Sequence, residues 1–177
     1  MRRLRPLARL WRALGLSGSL LLLLPTTGCA GSIQGQVLDA QTGQAIPGAV
    51  VLGVWTRIAG LPGMHHTELV GVREVETDSE GRFALERPSS RYNREDGESV
   101  TVYKFGYIAW NNIFRWPHSE RRENYDVPTQ IRLESFPPSG DHRKHLDFID
   151  QAGSIFMYGW QAIPKLQRAM ERERALR

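Results

Sequence analysis

The sequence predicts a mainly β protein with a helical tail, and three observations support this prediction. Short runs of alternating or β-branched residues recur between Ile33 and Leu133. Two Asp-to-Gly segments, 39–43 and 78–81, separate such runs; each offers an Asp that can cap nearby backbone and a Gly free to take positive φ. Helical spacing of apolar residues begins only after the Pro- and Gly-containing segment 136–140.

Six strands are expected in the β part. The first two flank the first Asp-to-Gly segment, and the next two flank the second. In the last strand, alternation places Ile131 and Leu133 inward and Arg132 and Glu134 outward. Segment 57–66 holds two glycines and a proline and is expected to be a loop inserted between strands. The expected strands are 33–38, 50–55, 68–76, 82–86, 99–107 and 127–135.

The tail has helix signals of its own. A helix is expected over 141–151, and Pro164 suits the first turn of a second helix. In that second helix, Ile163, Leu166 and Met170 form a narrow apolar stripe at spacings i, i+3 and i+7. We expect the stripe to pack on the β part; the alternative is that it docks on a partner.

The two turn segments also carry a family resemblance. The order G-x-V-x-D-x-x-T-G-x-x-I-P-G-A-x-V, followed by T-D-x-x-G-x-F-x-L, resembles the carboxypeptidase regulatory-like domain, a family with a transthyretin-like (prealbumin-like) β-sandwich. The resemblance implies a transthyretin-like antiparallel β-sandwich over 33–136 and leaves 137–177 as a helical C-terminal extension. It implies no activity, because a fold does not fix a function. The matching residues are Gly35, Val37, Asp39, Thr42, Gly43, Ile46, Pro47, Gly48, Ala49, Val51, Thr77, Asp78, Gly81, Phe83 and Leu85.

Residues 1–28 have the three parts of a bacterial signal peptide: an arginine-rich start, a leucine-rich apolar stretch and small residues before Cys29. Segment 25–29 resembles a lipobox, with Thr26 where that motif usually has Leu. Cys29 is the only cysteine, so it has no partner for an intramolecular disulfide. We predict that Cys29 accepts lipid, palmitate included, and that 29–32 is a short tether. The alternative is an ordinary signal peptide with an incidental cysteine.

Charge and the residue after the cysteine bear on location and partners. Of 23 basic residues, five are arginines of the leader, and the remaining 18 face 19 acidic residues, a net charge of −1. No nucleic-acid partner is therefore expected. By analogy with lipoprotein sorting, Ala30 points to the outer membrane, with the domain facing the periplasm.

The predicted role is a non-catalytic binding or structural module, held at the membrane by its N-terminal lipid. The expected partners are an envelope protein, a peptide or a glycan, and no cofactor is expected. The sequence contains no Gly-x-Ser-x-Gly motif and no phosphate-binding loop.

A small hydrolase or metal-dependent enzyme is the first alternative. His65 and Glu68 have the H-x-x-E spacing of metallocarboxypeptidase zinc ligands, and His118, His142 or His145 could supply a third ligand. His142 and His145 are themselves one helical turn apart and could share a ligand, but Arg143 and Lys144 between them favour an exposed polar face. Hydroxyisourate hydrolases share the transthyretin-like fold, but their C-terminal Tyr-Arg-Gly-Ser signature is missing from the 174–177 end of this chain.

A carbohydrate- or peptide-binding surface on segment 103–116 is the second alternative. This segment contains six aromatic residues, whose faces can stack on sugars or pack on a partner. Trp110 and Trp116 are flanked by polar residues and are the candidates for exposure. The competing interpretation is that the aromatic side chains fill the core.

Overall fold

The computed structural model describes residues 31–88 and 97–176. Cys29 and the leader lie outside the described residues, so the signal peptide and the lipid anchor stay predictions. The described part is mainly β with a helical C-terminal segment, which confirms the predicted fold class. The elements are β1 (Ser32–Asp39), β2 (Val50–Leu61), β3 (Met64–Glu76), β4 (Arg82–Glu86), β5 (Gly97–Tyr103), β6 (Trp110–Asn111), β7 (Phe114–Arg115), β8 (Glu120–Arg121), β9 (Gln130–Leu133), α1 (His142–Ala152) and α2 (Pro164–Arg174).

Two sheets form the sandwich. One has the strand order β4-β1-β9 and the other β3-β2-β5-β6, while β7 and β8 form a separate small hairpin. The neighbours pair antiparallel except β1 and β9, which run parallel. Strands β6 and β9 are therefore edge strands, one in each sheet.

The space between the sheets is filled by an apolar core. In β4 and β9 the buried positions alternate with exposed ones, as expected for strands with one covered face. In β9 this confirms that Ile131 and Leu133 point inward and Arg132 outward. The buried members of this core are Ile33, Val37, Ile46, Ala49, Val51, Trp55, Phe83, Leu85, Val100, Val102, Ile131 and Leu133.

The helices form a third layer on the other face of the four-stranded sheet. The predicted stripe of Ile163, Leu166 and Met170 is buried there, which confirms that the tail packs on the sandwich. Because both faces of β2 are covered, all six residues from Val50 to Trp55 are buried. No helix in the described ranges is long and apolar enough to cross a membrane.

Both predicted Asp-to-Gly turns are present. Asp39 Oδ1 accepts hydrogen bonds from the backbone N–H groups of Gln41 and Thr42, at 2.9 and 2.7 Å. The bond from Thr42 is the main reason why the pKa of Asp39 lies below its ordinary value. Asp78 Oδ1 accepts two similar bonds in the second turn, at 2.9 and 2.8 Å. Gly43 and Gly81 have φ of 71° and 72°, the conformation that favours glycine.

The prediction of a loop over 57–66 is wrong. Strands β2 and β3 continue through this segment and pair as far as Leu61 with Met64, with a bulge between Trp55 and Thr56. The proline and Gly63 are confined to the two-residue connection, where Gly63 has φ of 87°. Pro62 and Gly63 therefore make one tight turn at the end of a long hairpin, while Gly60 lies within β2.

Candidate functional site: an aromatic–arginine cleft

An open cleft of about 550 Å³ lies beside the edge strands β6 and β9. It brings together Trp110 and Trp116, the two tryptophans that the sequence singles out, and both are half-buried. We call it the aromatic–arginine cleft, after the six side chains that give it its chemistry. These are Trp110, Arg115, Trp116, Arg122, Arg132 and Glu134.

Trp110 is held in place by its strand and by a guanidinium group. It pairs with Val102 in the β5–β6 ladder. The guanidinium carbon of Arg122 lies 5.3 Å from the centre of the indole ring, a cation–π geometry. Arg122 Nε also donates to the backbone oxygen of Asn111 at 2.7 Å. The indole and the guanidinium thus form one fixed surface.

Asn111, fully buried, fixes the turn that follows Trp110. Its Oδ1 accepts hydrogen bonds from the N–H groups of Ile113 and Phe114, both at 2.8 Å. Its Nδ2 donates to the hydroxyl oxygen of Thr101 at 2.9 Å. This side chain sets the direction in which the chain leaves β6 and so brings Arg115 and Trp116 to the cleft.

Trp116 is supported from behind by the helical layer. Its ring lies edge-on to the rings of His145 and Phe148, with centroid distances of 5.1 and 5.8 Å. Both of these residues belong to α1 and are buried. The position of Trp116 in the cleft therefore depends on how α1 is held against the sheet.

A buried hydrogen-bond network holds that helix. The Ala109 N–H donates to His145 Nε2 at 2.8 Å, so the proton of this ring is on Nδ1, which donates to Glu173 Oε1 at 2.7 Å. His142 Nδ1 contacts the same oxygen at 2.9 Å, and the Tyr103 hydroxyl donates to Glu173 Oε2 at 2.8 Å. The network joins β5, α1 and α2 through one carboxylate.

The expectation that His142 and His145 lie on an exposed polar face is therefore wrong. His145 is 0% exposed and His142 is partly buried, with Phe136 stacked on its ring at 4.6 Å. The physical reason is Glu173, which comes 28 residues after His145 and supplies the acceptor that makes burial of the imidazole acceptable.

The network also shifts the ionisation of its members. Burial alone raises the pKa of Glu173, but the hydrogen bonds from His145, His142 and Tyr103 outweigh it and hold the pKa below its ordinary value. Burial, followed by the bond to Glu173, raises the pKa of Tyr103. At neutral pH the network therefore contains a carboxylate and a protonated phenol.

The cleft carries an excess of positive charge. It contains three guanidinium groups and one carboxylate, Glu134. None of these four side chains forms an ion pair with another residue in the described ranges. Burial, and then repulsion from Arg115, lowers the pKa of Arg122. An anion bound between these groups would relieve that repulsion.

A larger cleft, of about 790 Å³, lies where the chain enters the fold. Its charged groups include Arg87 and Glu98, and Arg87 Nε lies 2.6 Å from Glu98 Oε2. Arg121 and Asp126 line the same cleft, so its charges are balanced, and no described tryptophan lines it. The aromatic–arginine cleft instead combines two tryptophans with an excess of positive charge. We therefore take the smaller cleft as the candidate site.

The proposed H-x-x-E ligands lie on the exposed hairpin. Glu68 Oε2 accepts from Arg57 at 2.6 and 2.9 Å, and Glu68 Oε1 lies 3.0 Å from His66 Nε2. His65 and His118 are exposed. Within the described residues, no group of three or more His, Cys, Asp or Glu side chains is arranged to hold a metal ion.

Comparisons of the chain with protein-family models, with curated proteins and with solved structures give no match. The resemblance of the two turn segments to the carboxypeptidase regulatory-like family stays a prediction.

Proposed function

We propose that the protein is a lipid-anchored bacterial envelope protein that acts as a non-catalytic binding module, with the aromatic–arginine cleft as its ligand surface. One observation supports this most strongly. Trp110 and Trp116 line the same cleft, together with three guanidinium groups that have no carboxylate partner among the described residues.

The chemistry of the cleft suits a ligand that has both flat apolar faces and negative charge. Indole rings stack on the faces of sugars and pack on peptide side chains. Guanidinium groups bind carboxylates through paired hydrogen bonds and hold them more tightly than neutral acceptors. A glycan or peptide bearing carboxylates meets both requirements, and peptidoglycan fragments are an envelope material with this combination.

The buried titratable groups support a structural role rather than a catalytic one. Both ring nitrogens of His145 are engaged in hydrogen bonds within the fold: Nε2 accepts from the Ala109 N–H, and Nδ1 donates to Glu173. Both oxygens of Glu173 are used as well. A general base needs a free position for the proton it takes. The network instead holds α1 behind Trp116.

The anchor rests on the leader and on the position of β1. Cys29 follows a lipobox-like segment, and β1 begins at Ser32. An acylated Cys29 would thus hold the sandwich within a few residues of the membrane, on the periplasmic face of the outer membrane. Each acyl methylene buried in lipid contributes about 0.8 kcal/mol, so several chains give stable attachment.

Binding is tested by calorimetric titration with soluble peptidoglycan fragments and with the same fragments after amidation of their carboxylates. Arg132→Gln and Trp110→Ala are expected to weaken binding about tenfold each, which corresponds to about 1.4 kcal/mol. Amidation is expected to weaken binding to the unsubstituted protein by a similar factor, because it removes the charge that the arginines bind.

The matched controls are Arg168→Gln and Trp160→Ala. Arg168 is exposed on α2, and the ring of Trp160 lies under Arg174 at 4.1 Å, so neither lines the cleft. Both are expected to bind like the unsubstituted protein. Equal binding by all four variants, or no binding by the unsubstituted protein, would contradict the proposed ligand surface.

The anchor is tested by growing producing cells with radiolabelled palmitate. The label is expected in the unsubstituted protein and not in Cys29→Ser, because Cys29 is the acceptor. Incorporation that persists in Cys29→Ser, or is missing from both proteins, would contradict lipidation at this residue.

A further inference from the structure

The hairpin of β2 and β3 ends in an exposed apolar segment, residues 58–64, which we call the hairpin tip. It contains no charged residue, and it lies between Arg57 and His65. Ile58, Leu61 and Met64 are 75%, 71% and 75% exposed. Single exposed apolar residues are ordinary, but three large ones within seven residues at the end of one hairpin are typical of a segment that binds a partner or a membrane.

The hairpin tip projects beyond the sandwich. Strand β5 pairs with β2 only as far as Thr56, which lies opposite Gly97. From Arg57 to Leu61, the one described strand that pairs with β2 is β3. Five residues of extended strand span about 17 Å. The hairpin tip is therefore held well away from the covered part of the sheet.

The chain enters the fold at this same end of the sandwich. Arg87 donates to the backbone oxygen of Gly31 at 3.4 Å and to Glu98 at 2.6 and 3.1 Å. Glu98 lies opposite Trp55 in the β2–β5 ladder, at the base of the projecting hairpin. The first described residue and the base of the hairpin are thus joined through one guanidinium group.

The length of the tether before β1 and the length of the projecting hairpin determine whether the hairpin tip can reach the membrane. Cys29 is three residues before Ser32, so it lies at most about 10 Å from the start of β1. The hairpin tip extends about 17 Å from its base at the same end. If Cys29 is held at the membrane surface by its acyl chains and the hairpin points toward that surface, the hairpin tip is long enough to reach the lipid.

We propose that the hairpin tip inserts its apolar side chains into the bilayer interface beside the lipid anchor. This inference rests on the lipid anchoring in the proposed function and adds a second point of membrane contact. Ile58, Leu61 and Met64 enter the acyl boundary, while Arg57 and His65 lie at the level of the headgroups. Two contacts fix the orientation of the sandwich, which one short tether does not.

The test places a fluorescent reporter on the hairpin tip. Acylation converts the Cys29 sulfur into an unreactive thioether, so the cysteine introduced by Leu61→Cys is the one thiol available for the environment-sensitive dye NBD. The full lipidated protein is reconstituted into vesicles of phosphatidylethanolamine and phosphatidylglycerol, with or without lipids brominated near the headgroup. The matched control is Phe156→Cys, because Phe156 is 79% exposed and lies in the helical layer.

The dye at position 61 is expected to shift its emission to the blue and to lose at least half of its intensity with brominated lipid. The dye at position 156 is expected to show neither effect. The inference is overturned if the dyes at both positions show the unshifted, unquenched emission of a water-exposed dye. It is also overturned if the emission of the dye at 61 shifts to the blue without quenching, since another protein surface would then cover the dye.

Intact mass is measured on the same samples and separates the anchor from the inserted hairpin. A free Cys29 thiol would overturn the anchor, and with it this inference. An acylated Cys29 together with a water-exposed dye at 61 would overturn the inference alone.

Discussion

At the residue scale, the most consequential side chain is Glu173. It accepts hydrogen bonds from Tyr103 and His145 and contacts His142, although it is only 2% exposed. A buried carboxylate is tolerated only when its charge is compensated by such partners. Those partners belong to β5 and α1, so this one residue fastens α2 to both.

Glu173→Gln is expected to lower the free energy of unfolding by about 2 kcal/mol, because an amide replaces the charged acceptor of several buried hydrogen bonds. Urea unfolding followed by tryptophan fluorescence measures the change. Glu171→Gln is the matched control, since Glu171 is exposed on the same helix and makes no ion pair with a described residue. Equal stability of the two variants would show that the network contributes nothing.

The same substitution should change the pH dependence of stability. The pKa of Glu173 is lower in the folded protein than its ordinary value of 4.5. Its contribution is therefore fully present above about pH 4.5 and is lost as the pH falls through the folded pKa. The stability difference between the unsubstituted protein and Glu173→Gln should be constant near neutral pH and shrink below pH 4.5. A difference that grows on acidification would contradict the direction of this shift.

Alanine substitutions at Gly43 and Gly81 separate two contributions to a loss of stability: backbone strain at positive φ and the steric clash of an added Cβ. Both have positive φ, but a Cβ on Gly43 meets nothing within 4 Å, whereas one on Gly81 would lie 2.5 Å from the backbone oxygen of Val37. Gly43→Ala is expected to cost about 1 kcal/mol for the strained backbone, and Gly81→Ala about 3 kcal/mol because the clash adds to it. Thermal unfolding measures both, and equal costs would contradict the role of the close approach.

At the element scale, the helical layer belongs to the folding unit and is not an appendage. Leu52 and Val54 of β2 share one core with Ile149, Leu166 and Met170 of the helices. A chain cut after Ser139 would uncover that face of the sheet. Removal of the tail would therefore change stability as well as any partner contact, and single substitutions are the cleaner probe.

Leu166→Ala is expected to cost about 3 kcal/mol, since Leu166 is 0% exposed and its removal leaves a cavity. Leu176→Ala, at a residue that is 54% exposed, is expected to change stability by less than about 0.5 kcal/mol. Urea unfolding should show one transition in both variants, because the layer and the sandwich share a core. A separate early transition in Leu166→Ala would show that the helices unfold on their own.

The elements differ in how far the sequence could predict them. The two Asp-to-Gly turns depend on contacts within four residues, and they form as expected. The hairpin of β2 and β3 was missed because Gly60, Pro62 and Gly63 indicate a break without showing that the strands on both sides still pair.

The candidate site was predictable only in part, because local patterns identify some of its residues but not the long-range pairing that brings them together. Trp110 and Trp116 stand out locally, and the outward direction of Arg132 follows from alternation in β9. The convergence of all three in one cleft depends on the parallel pairing of β9 with β1, which no local pattern indicates. The burial of His145 likewise depends on Glu173, which lies beyond any local window.

At the scale of the whole molecule, the proposals assign different surfaces to different tasks. Under these proposals, the end at which the chain enters the fold would face the membrane, together with the hairpin tip. The turns at Asp39 and Asp78 lie at the opposite ends of their strands from that entry. The aromatic–arginine cleft lies on the side, along the edge strands, where an anchored sandwich leaves it open to a ligand.

The anchor is the claim on which this arrangement depends, and the N-terminal tryptic peptide of the protein extracted from membranes tests it most directly. Trypsin should release a peptide that begins at Cys29 and ends at Arg57, the first Lys or Arg after the leader. We predict that its mass includes a diacylglyceryl group on the Cys29 sulfur and an acyl chain on its amine. A peptide with an unmodified cysteine, or one that starts at another residue, would contradict the account.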